Sequence, residues 1–128
     1  MTRIIVADDD RITSHLVCSL LRKQGYQPEA AFDVPSFLLL SRRSPVPDVV
    51  LLDLHMPGGT GVESVRWFME DPTLARIPLV LMSGTNGSAA EVLGFQLGAM
   101  AFLGKPIDPV RLQSVVSTAL LRPAAGLE

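Results

Sequence analysis

The sequence predicts an α/β fold in which five parallel strands form one doubly wound sheet with helices on both faces. Short apolar runs alternate strictly with segments whose apolar residues recur at helical spacing. Residues 49–52 are four consecutive apolar residues between Pro47 and the turn-forming Pro57 and Gly58, which is typical of a strand buried on both faces of a parallel sheet. Since each right-handed crossover must carry its helix over one face, this alternation favours a doubly wound arrangement.

The first half of the chain contains signals for two strands and two helices before the central run. Arg3–Ala7 is a short apolar strand, and the helix after it should end at Gly25. Residues 27–32 are a weaker, edge-type strand. Asp33 is suited to cap a second helix, which should finish before the proline-containing residues 44–47.

The second half continues the same alternation. In order, we expect a helix over residues 62–69, a strand over residues 77–82, a helix over residues 89–97, a strand over residues 100–103 and a last helix capped by Asp108. Gly87 and Gly94 each lower the intrinsic helicity of the fourth helix by about 1 kcal/mol relative to alanine, so we interpret that helix as mobile. Met100 and Phe102, two residues apart, are expected on one face of the last strand.

Length and composition indicate a single domain. With 128 residues and 48% apolar content, the chain can bury a sizeable core. We expect one domain over residues 1–122, followed by a tail at residues 123–128 that is a linker or a cloning remnant. A net charge of −2 provides no basic surface for nucleic acid or a membrane.

Several other residues have simple structural interpretations. Cys18 is the single cysteine, which excludes an internal disulfide and a cysteine metal cluster, and we expect it in the core. Asp10 is expected to cap the first helix. The adjacent apolar residues 67–69 cannot all be buried, and Trp67 is expected at the surface. With no targeting leader and no apolar run of spanning length, we expect a cytoplasmic protein.

Four of the five predicted strands end in a polar residue. Asp8 and Asp9 follow the first strand, Asp53 ends the third, Ser83 follows the fourth and Lys105 follows the fifth. Because the carboxyl ends of parallel strands meet at one edge of a sheet, we expect these side chains to converge. Three crowded carboxylates repel one another, which favours raised pKa values or a bound cation. Oxygen ligands without His or Cys favour a hard ion, most plausibly Mg2+.

The lysine and the serine indicate which chemistry this edge would serve. An ammonium group and a hydroxyl beside a metal-binding carboxylate cluster suit a phosphoryl group better than a carbonyl. Lys105 and the metal would neutralise the phosphoryl oxygens, and Asp53 would attack as a carboxylate nucleophile to form an acyl phosphate.

Four motifs resemble those of the response regulator receiver domain. They are residues 4–10 (IIVADDD), 51–57 (LLDLHMP), 82–83 (MS) and 104–108 (GKPID), and they occur in the family's order between about Arg3 and Leu121. The resemblance implies a flavodoxin-like sheet with strand order 2-1-3-4-5. It also implies a phosphorylation-dependent switch in two-component signalling, whose own chemistry is limited to self-phosphorylation and slow autodephosphorylation, and so not a metabolic enzyme.

The resemblance assigns roles to the residues at this edge. Asp53 would accept the phosphoryl group from a histidine kinase or a phosphotransfer protein. Asp9, Asp53 and the backbone carbonyl of His55 would hold Mg2+, with Asp8 acting through water. Lys105 would contact the phosphoryl oxygens, with a cis peptide bond to the following proline.

The resemblance also assigns the response to phosphorylation. Ser83 and Phe102 would switch conformation, while His55 and Thr85 would tune the access of water to the acyl phosphate. The fourth helix, fifth strand and fifth helix would then present a changed surface to a downstream partner, an output domain or a second copy of the chain. No direct contact with nucleic acid or membrane is expected.

The sequence departs from the family pattern at four positions. Gly84 stands where a small alanine is usual, and Phe102 stands where tyrosine is commoner, so no hydroxyl is present there. Thr60 and Met100 occupy positions where acidic residues are frequent. None of these departures removes a catalytic group.

Three alternatives remain open at this point. A receiver-like scaffold could work without phosphorylation. A small phosphohydrolase that forms an aspartyl phosphate would require a second carboxylate where His55 stands. A flavin or nucleotide binder would require a Gly-rich phosphate loop after the first strand, which the sequence lacks there.

Overall fold

Five parallel strands form one sheet in the computed structural model, which describes residues 2–58, 61–84 and 89–121. The strands are β1 (Arg3–Ala7), β2 (Gln27–Ala31), β3 (Val49–Asp53), β4 (Leu79–Ser83) and β5 (Ala101–Gly104). Their order in the sheet is β2-β1-β3-β4-β5. The predicted fold class and strand order are therefore confirmed.

Helices connect the strands and cover both faces of the sheet. They are α1 (Arg11–Lys23), α2 (Val34–Arg42), α3 (Gly61–Glu70), α4 (Ala89–Leu97) and α5 (Pro109–Leu121), with a short 3-10 turn at Leu74–Arg76 before β4. Side chains of α1 and α5 pack against one face, and those of α2, α3 and α4 pack against the other. Among the described residues, no helix has the length and apolar character that a membrane crossing requires.

The predictions for Thr60, Thr85 and Gly87, and for the tail at residues 123–128, concern residues outside the described part of the chain. The division into a domain over residues 1–122 and a tail stays a prediction.

The central strand is buried throughout, as its uninterrupted apolar sequence predicts. Every residue of β3 is buried, and the strand lies between β1 and β4. On the α2–α3 side, the rings of Phe37 and Phe68 stack with their centroids 5.7 Å apart. This core fixes the carboxyl end of β3, and with it the position of Asp53.

Side-chain caps fix where the helices begin. The Asp10 carboxylate accepts a hydrogen bond from the Ile12 amide, so Asp10 caps α1 as predicted. Asp33 accepts from the Ser36 amide at 2.8 Å and caps α2. Asp108 accepts from the amide of the third residue of α5. The cap of α1 also holds the turn that follows Asp8 and Asp9.

One expectation about the last third of the chain needs correction. Met100 packs against the cluster on the α1–α5 side, whereas Phe102 packs against the opposite cluster, so the two do not share a face. The reason is that β5 begins at Ala101, and Met100 therefore precedes the regular alternation of the strand. Gly94 is buried, and an added Cβ would lie 2.5 Å from the Leu81 side chain. This glycine lets α4 approach β4 closely, which intrinsic helicity alone does not reveal.

Gly61 permits a second close approach, at the start of α3. A Cβ at this position would overlap the backbone carbonyl oxygen of Leu54, which cannot turn away as a flexible side chain could. We expect Gly61→Ala to lower the free energy of unfolding by about 3 kcal/mol, measured by urea denaturation with circular dichroism. Gly84→Ala is the matched control, because an added Cβ there has no heavy atom within 4 Å and should change stability by about 0.5 kcal/mol or less. Equal effects of the two substitutions would contradict this account.

Candidate functional site

Three strands bring their carboxyl ends to one edge of the sheet and carry the charged residues there. Asp8 directly follows β1, Asp53 is the last residue of β3, and Lys105 directly follows β5. The parallel register aligns these ends: Ala7 lies opposite Leu52 on neighbouring strands. The convergence predicted from the sequence is therefore present in the fold for these three residues.

Three carboxylates form a compact cluster at this edge. One oxygen from each of Asp8, Asp9 and Asp53 lies within 4.8 Å of the other two. Asp8 is fully buried and Asp53 is 4% exposed, whereas Asp9 is exposed. A donor set made only of carboxylate oxygens, partly open to water, fits a hard divalent cation that keeps some of its water ligands. The cluster thus fits the Mg2+ expected from the sequence.

Lys105 inserts one positive charge among these carboxylates. Its ammonium nitrogen lies 2.7 Å from Asp8 Oδ2 and 3.2 Å from Asp53 Oδ2. The Lys105 backbone amide donates to the Ser83 carbonyl oxygen at 2.8 Å, which continues the pairing of β4 with β5. The peptide bond from Lys105 to Pro106 is cis. Three carboxylates against one ammonium leave an excess of negative charge at the edge.

Burial and charge shift the pKa values of the two central groups. Burial raises the pKa of Asp53, and the nearby Asp8 charge raises it further, while the His55 amide and Lys105 act in the opposite direction. For Lys105, burial lowers the pKa, but the hydrogen bond to Asp8 and the charges of Asp53 and Asp8 outweigh it, so the net shift is upward. Lys105 is therefore held in its charged form, while the ionised form of Asp53 is disfavoured unless more positive charge arrives.

His55 contributes to the site through its backbone. Its amide donates a hydrogen bond to Asp53 Oδ1 at 3.0 Å, which orients the carboxylate. The imidazole side chain is exposed and is not part of the carboxylate cluster. The role of its carbonyl as a metal ligand stays a prediction.

The two predicted switch residues lie on the neighbouring strands. Ser83 is the last residue of β4, is buried, and pairs with Gly104 of β5. Phe102 is half-buried on the edge strand β5 and packs towards the α2–α3 side. The sequence did not predict that the Arg111 guanidinium donates to the Phe102 carbonyl oxygen at 3.3 Å. No motif marks that contact, because it joins the first turn of α5 to the open edge of the sheet.

The comparisons with known proteins agree with this geometry. The family model described as the response regulator receiver domain matches residues 4–117. The chain belongs to the response regulator receiver family. Receiver domains of two-component systems are signalling regulators and generally not enzymes. They bind Mg2+ at an acidic pocket, and the carboxylate cluster of this chain could hold such an ion.

Individual relatives differ in how much of their length corresponds to this receiver domain. The chain is 38% identical over 110 residues to the response regulator PleD of Caulobacter vibrioides, covering 86% of the chain and 24% of PleD. It is 29% identical to the phosphate regulon transcriptional regulatory protein PhoB of Escherichia coli, covering 94% of the chain and 52% of PhoB. It is 30% identical to protein PilH of Pseudomonas aeruginosa, covering 94% of the chain and 98% of PilH. The chain thus spans about a quarter of PleD and about half of PhoB.

Solved structures give the same result for the fold. A response regulator from Chloroflexus aurantiacus matches with a TM-score of 0.87 and 25% identity, over 94% of this chain and 98% of that one. The receiver domain of NtrX from Brucella abortus matches with a TM-score of 0.85 and 28% identity, over 94% and 99% of the two chains.

The raised pKa of Asp53 predicts a pH-dependent cost to stability. Because the folded-state pKa lies above that of the unfolded chain, ionised Asp53 destabilises the fold at neutral pH, and the cost disappears as pH falls through the raised value. We expect Asp53→Asn to melt at a higher temperature than the wild type at pH 7 without divalent cations, and this difference to shrink on acidification. Added Mg2+ should stabilise the wild type more than the variant, because binding to the folded state raises its stability.

Asp33→Asn is the matched control for the thermal melts. The pKa of the Asp33 carboxyl is lowered by hydrogen bonds from Ser36, so its ionised form stabilises the fold above the unfolded-state pKa and that contribution is lost as pH falls. Its substitution should not raise the melting temperature at pH 7. A lower melting temperature for Asp53→Asn than for the wild type at pH 7 would contradict the assignment.

Proposed function

We propose that this domain is a phosphorylation-dependent signalling switch that accepts a phosphoryl group on Asp53 from a histidine kinase or a phosphotransfer protein. The observation that carries the proposal is the convergence of a carboxylate cluster and a lysine ammonium at one sheet edge, with Lys105 Nζ 3.2 Å from Asp53 Oδ2. We further propose that the domain acts in the cytoplasm and has no chemistry beyond its own phosphorylation and slow dephosphorylation.

The transfer step uses Asp53 as the nucleophile. One of its carboxylate oxygens forms the new bond to phosphorus while the bond from phosphorus to the donor nitrogen breaks, which leaves an acyl phosphate on Asp53. Asp9, Asp53 and the His55 carbonyl would hold Mg2+, with Asp8 acting through water. When bound, the ion neutralises charge on the phosphoryl oxygens. Lys105 shifts from its carboxylate partners to a phosphoryl oxygen, and its raised pKa keeps it charged for that contact.

Exposed apolar side chains beside the site support a protein as the phosphoryl donor. Ile12 on α1 is 82% exposed and Val110 on α5 is 74% exposed, and Leu16 is also exposed. Both helices begin directly after the segments that carry Asp9 and Lys105. Large exposed apolar groups next to the site favour contact with the surface of a partner protein. A small-molecule donor would not require such an apolar surface.

The signal to a downstream partner would follow from a shift in the populations of two conformations on the β4–β5 side of the site. The phosphoryl group stabilises one arrangement of Ser83 and Phe102, and these residues lie on the strands beside α4. A change from mostly inactive to mostly active requires about 5 kcal/mol of differential interaction. Three exposed apolar side chains of α4, namely Val92, Leu93 and Phe95, provide a surface on which a downstream partner, an output domain or a second copy could bind.

Removal of the acyl phosphate by water would be slow and tuned by residues at the mouth of the site. His55 is exposed next to Asp53, so its imidazole can influence the approach of water. We assign the same role to Thr85, which lies outside the described residues. External phosphate esters should not be turned over, because the position two residues after Asp53 lacks the carboxylate that could protonate a leaving group.

Phosphorylation of Asp53 can be tested by intact-protein mass spectrometry. After incubation with a small phosphodonor and Mg2+, the wild type should gain the mass of one phosphoryl group, and Asp53→Asn should gain none, because the amide is not a nucleophile. Asp108→Asn, which changes a carboxylate outside the cluster, should be labelled like the wild type. Undiminished labelling of Asp53→Asn would mean that another residue accepts the phosphoryl group.

The coupling role of Lys105 can be tested separately from labelling. Lys105→Ala should leave Mg2+ binding largely in place, since the carboxylates remain, but phosphorylation should no longer change the surface of α4 and β5. Amide chemical shifts of those elements, recorded with and without phosphodonor, measure this change. Lys105→Arg is the charge-conserving control and should retain part of the response. A full phosphorylation-dependent shift in Lys105→Ala would overturn the role given to this residue.

A further inference from the structure

An arginine lies beside the carboxylate cluster without joining it. Arg11 is the first residue of α1 and follows Asp9 by two positions. Its guanidinium carbon lies 4.1 Å from the centre of the Phe32 ring, which is a cation–π contact. In the part of the chain that the structure describes, no ion pair joins Arg11 to a carboxylate. An aromatic ring therefore holds this positive charge, although carboxylates lie close to it along the chain.

Helix phase and strand pairing bring the arginine and the ring together. Three buried residues of α1 follow Arg11 at helical spacing, so Arg11 continues the stripe of the helix that faces the sheet. They are Ser14, Cys18 and Leu21. Phe32 directly follows β2, and the hydrogen bond from the Asp8 amide to the Ala31 carbonyl oxygen, 3.0 Å long, joins the end of that strand to the aspartate turn. The ring is thus fixed at the edge of the sheet that carries the cluster.

Asp9 is the member of the cluster that a second cation can reach. Asp8 and Asp53 both contact the Lys105 ammonium, at 2.7 Å and 3.2 Å. The Asp9 carboxylate is exposed and, among the described residues, accepts no hydrogen bond and forms no ion pair. The long side chain of Arg11, two residues further along the chain, can extend to it. A guanidinium bound there would neutralise charge that attracts a divalent cation and would block a carboxylate ligand.

We propose that Phe32 is a positioning residue for the metal site: its ring holds the Arg11 guanidinium away from Asp9 and leaves the Asp9 carboxylate free to bind Mg2+. A cation–π contact and an ion pair are similar in strength when both are exposed to water, so the ring competes effectively with the carboxylate. The inference rests on the Mg2+ site of the proposed function and assigns roles to two residues outside its ligand set.

Substitutions of Phe32 test this role through Mg2+ affinity. Phe32→Leu keeps an apolar side chain but removes the aromatic face, which releases the guanidinium to Asp9. We expect Mg2+ to bind this variant about two- to fivefold more weakly than the wild type, because the ion must displace an exposed ion pair. Mg2+ titrations at constant ionic strength, followed by the amide signals of Leu54 and His55, measure the dissociation constant. Phe32→Tyr retains a ring and is the matched control, with an affinity equal to that of the wild type. Equal affinities of Phe32→Leu and Phe32→Tyr would overturn the proposal.

Substitution of Arg11 separates this role from a purely structural one. Arg11→Gln alone should not weaken Mg2+ binding, and adding it to Phe32→Leu should restore the affinity to at least the wild-type value, because no guanidinium then competes for Asp9. If the pair only clamped the aspartate turn, Arg11→Gln would itself weaken binding and the double variant would stay weak, which would overturn the proposal.

The wild-type titration separates this inference from the proposed function. A wild type that binds no Mg2+ would refute the metal site itself, and the role of Phe32 with it. A wild type that binds Mg2+, with variants that do not follow the expected pattern, would refute the role of Phe32 alone and leave the function proposed for Asp53 untouched.

Discussion

The paired contact of the Lys105 ammonium with Asp8 and Asp53 is the interaction on which the edge of the sheet depends. Both carboxylates are almost completely buried, and removing their cation would leave two like charges facing each other without compensation. The contact requires β1, β3 and β5 to end at the same level, although their residues are far apart in sequence. The fold thus serves to bring together charges that would not otherwise stay close.

This compensation is incomplete, because three carboxylates face one ammonium group. The pKa of Asp53 is raised despite the nearby ammonium, so the folded protein disfavours the ionised form of this carboxyl group. A bound cation relieves that cost, and the excess negative charge of the cluster provides the attraction for it. The carboxylate cluster therefore lowers the free energy of unfolding. The buried strand β3 and the stacked Phe37 and Phe68 rings stabilise the fold elsewhere.

Local sequence signals predicted the parts of the structure that local physics determines. The apolar run of β3 predicts a buried strand, and the helix caps at Asp10 and Asp33 follow from residue type and spacing. The strand order came from the family resemblance, since no local pattern encodes which strands are neighbours. What sequence missed depends on distant partners: the packing of Gly94 against Leu81, and the opposite faces of Met100 and Phe102.

The same separation between local and distant signals applies to the site. Each charged residue could be placed at the end of a strand, but the distances that make Lys105 a shared partner of two carboxylates exist only in the folded sheet. Burial, which raises the pKa of Asp53, is also a property of the whole fold. A groove of about 560 Å³ at the amino edge, lined by Pro47, Pro78 and Leu120 among others, carries no motif, because its segments meet through the pairing of β3 with β4 and the packing of α5 beside β3.

The direction in which a signal can travel follows from which strands are enclosed. β3 has neighbours on both sides and no exposed residue, so a change at Asp53 cannot be absorbed by moving that strand. β5 is an edge strand whose Ala101 and Phe102 are only half-buried, and its neighbour β4 contacts α4 through Leu81. A change in charge at the carboxyl edge is therefore accommodated most easily by movement of β4 and β5.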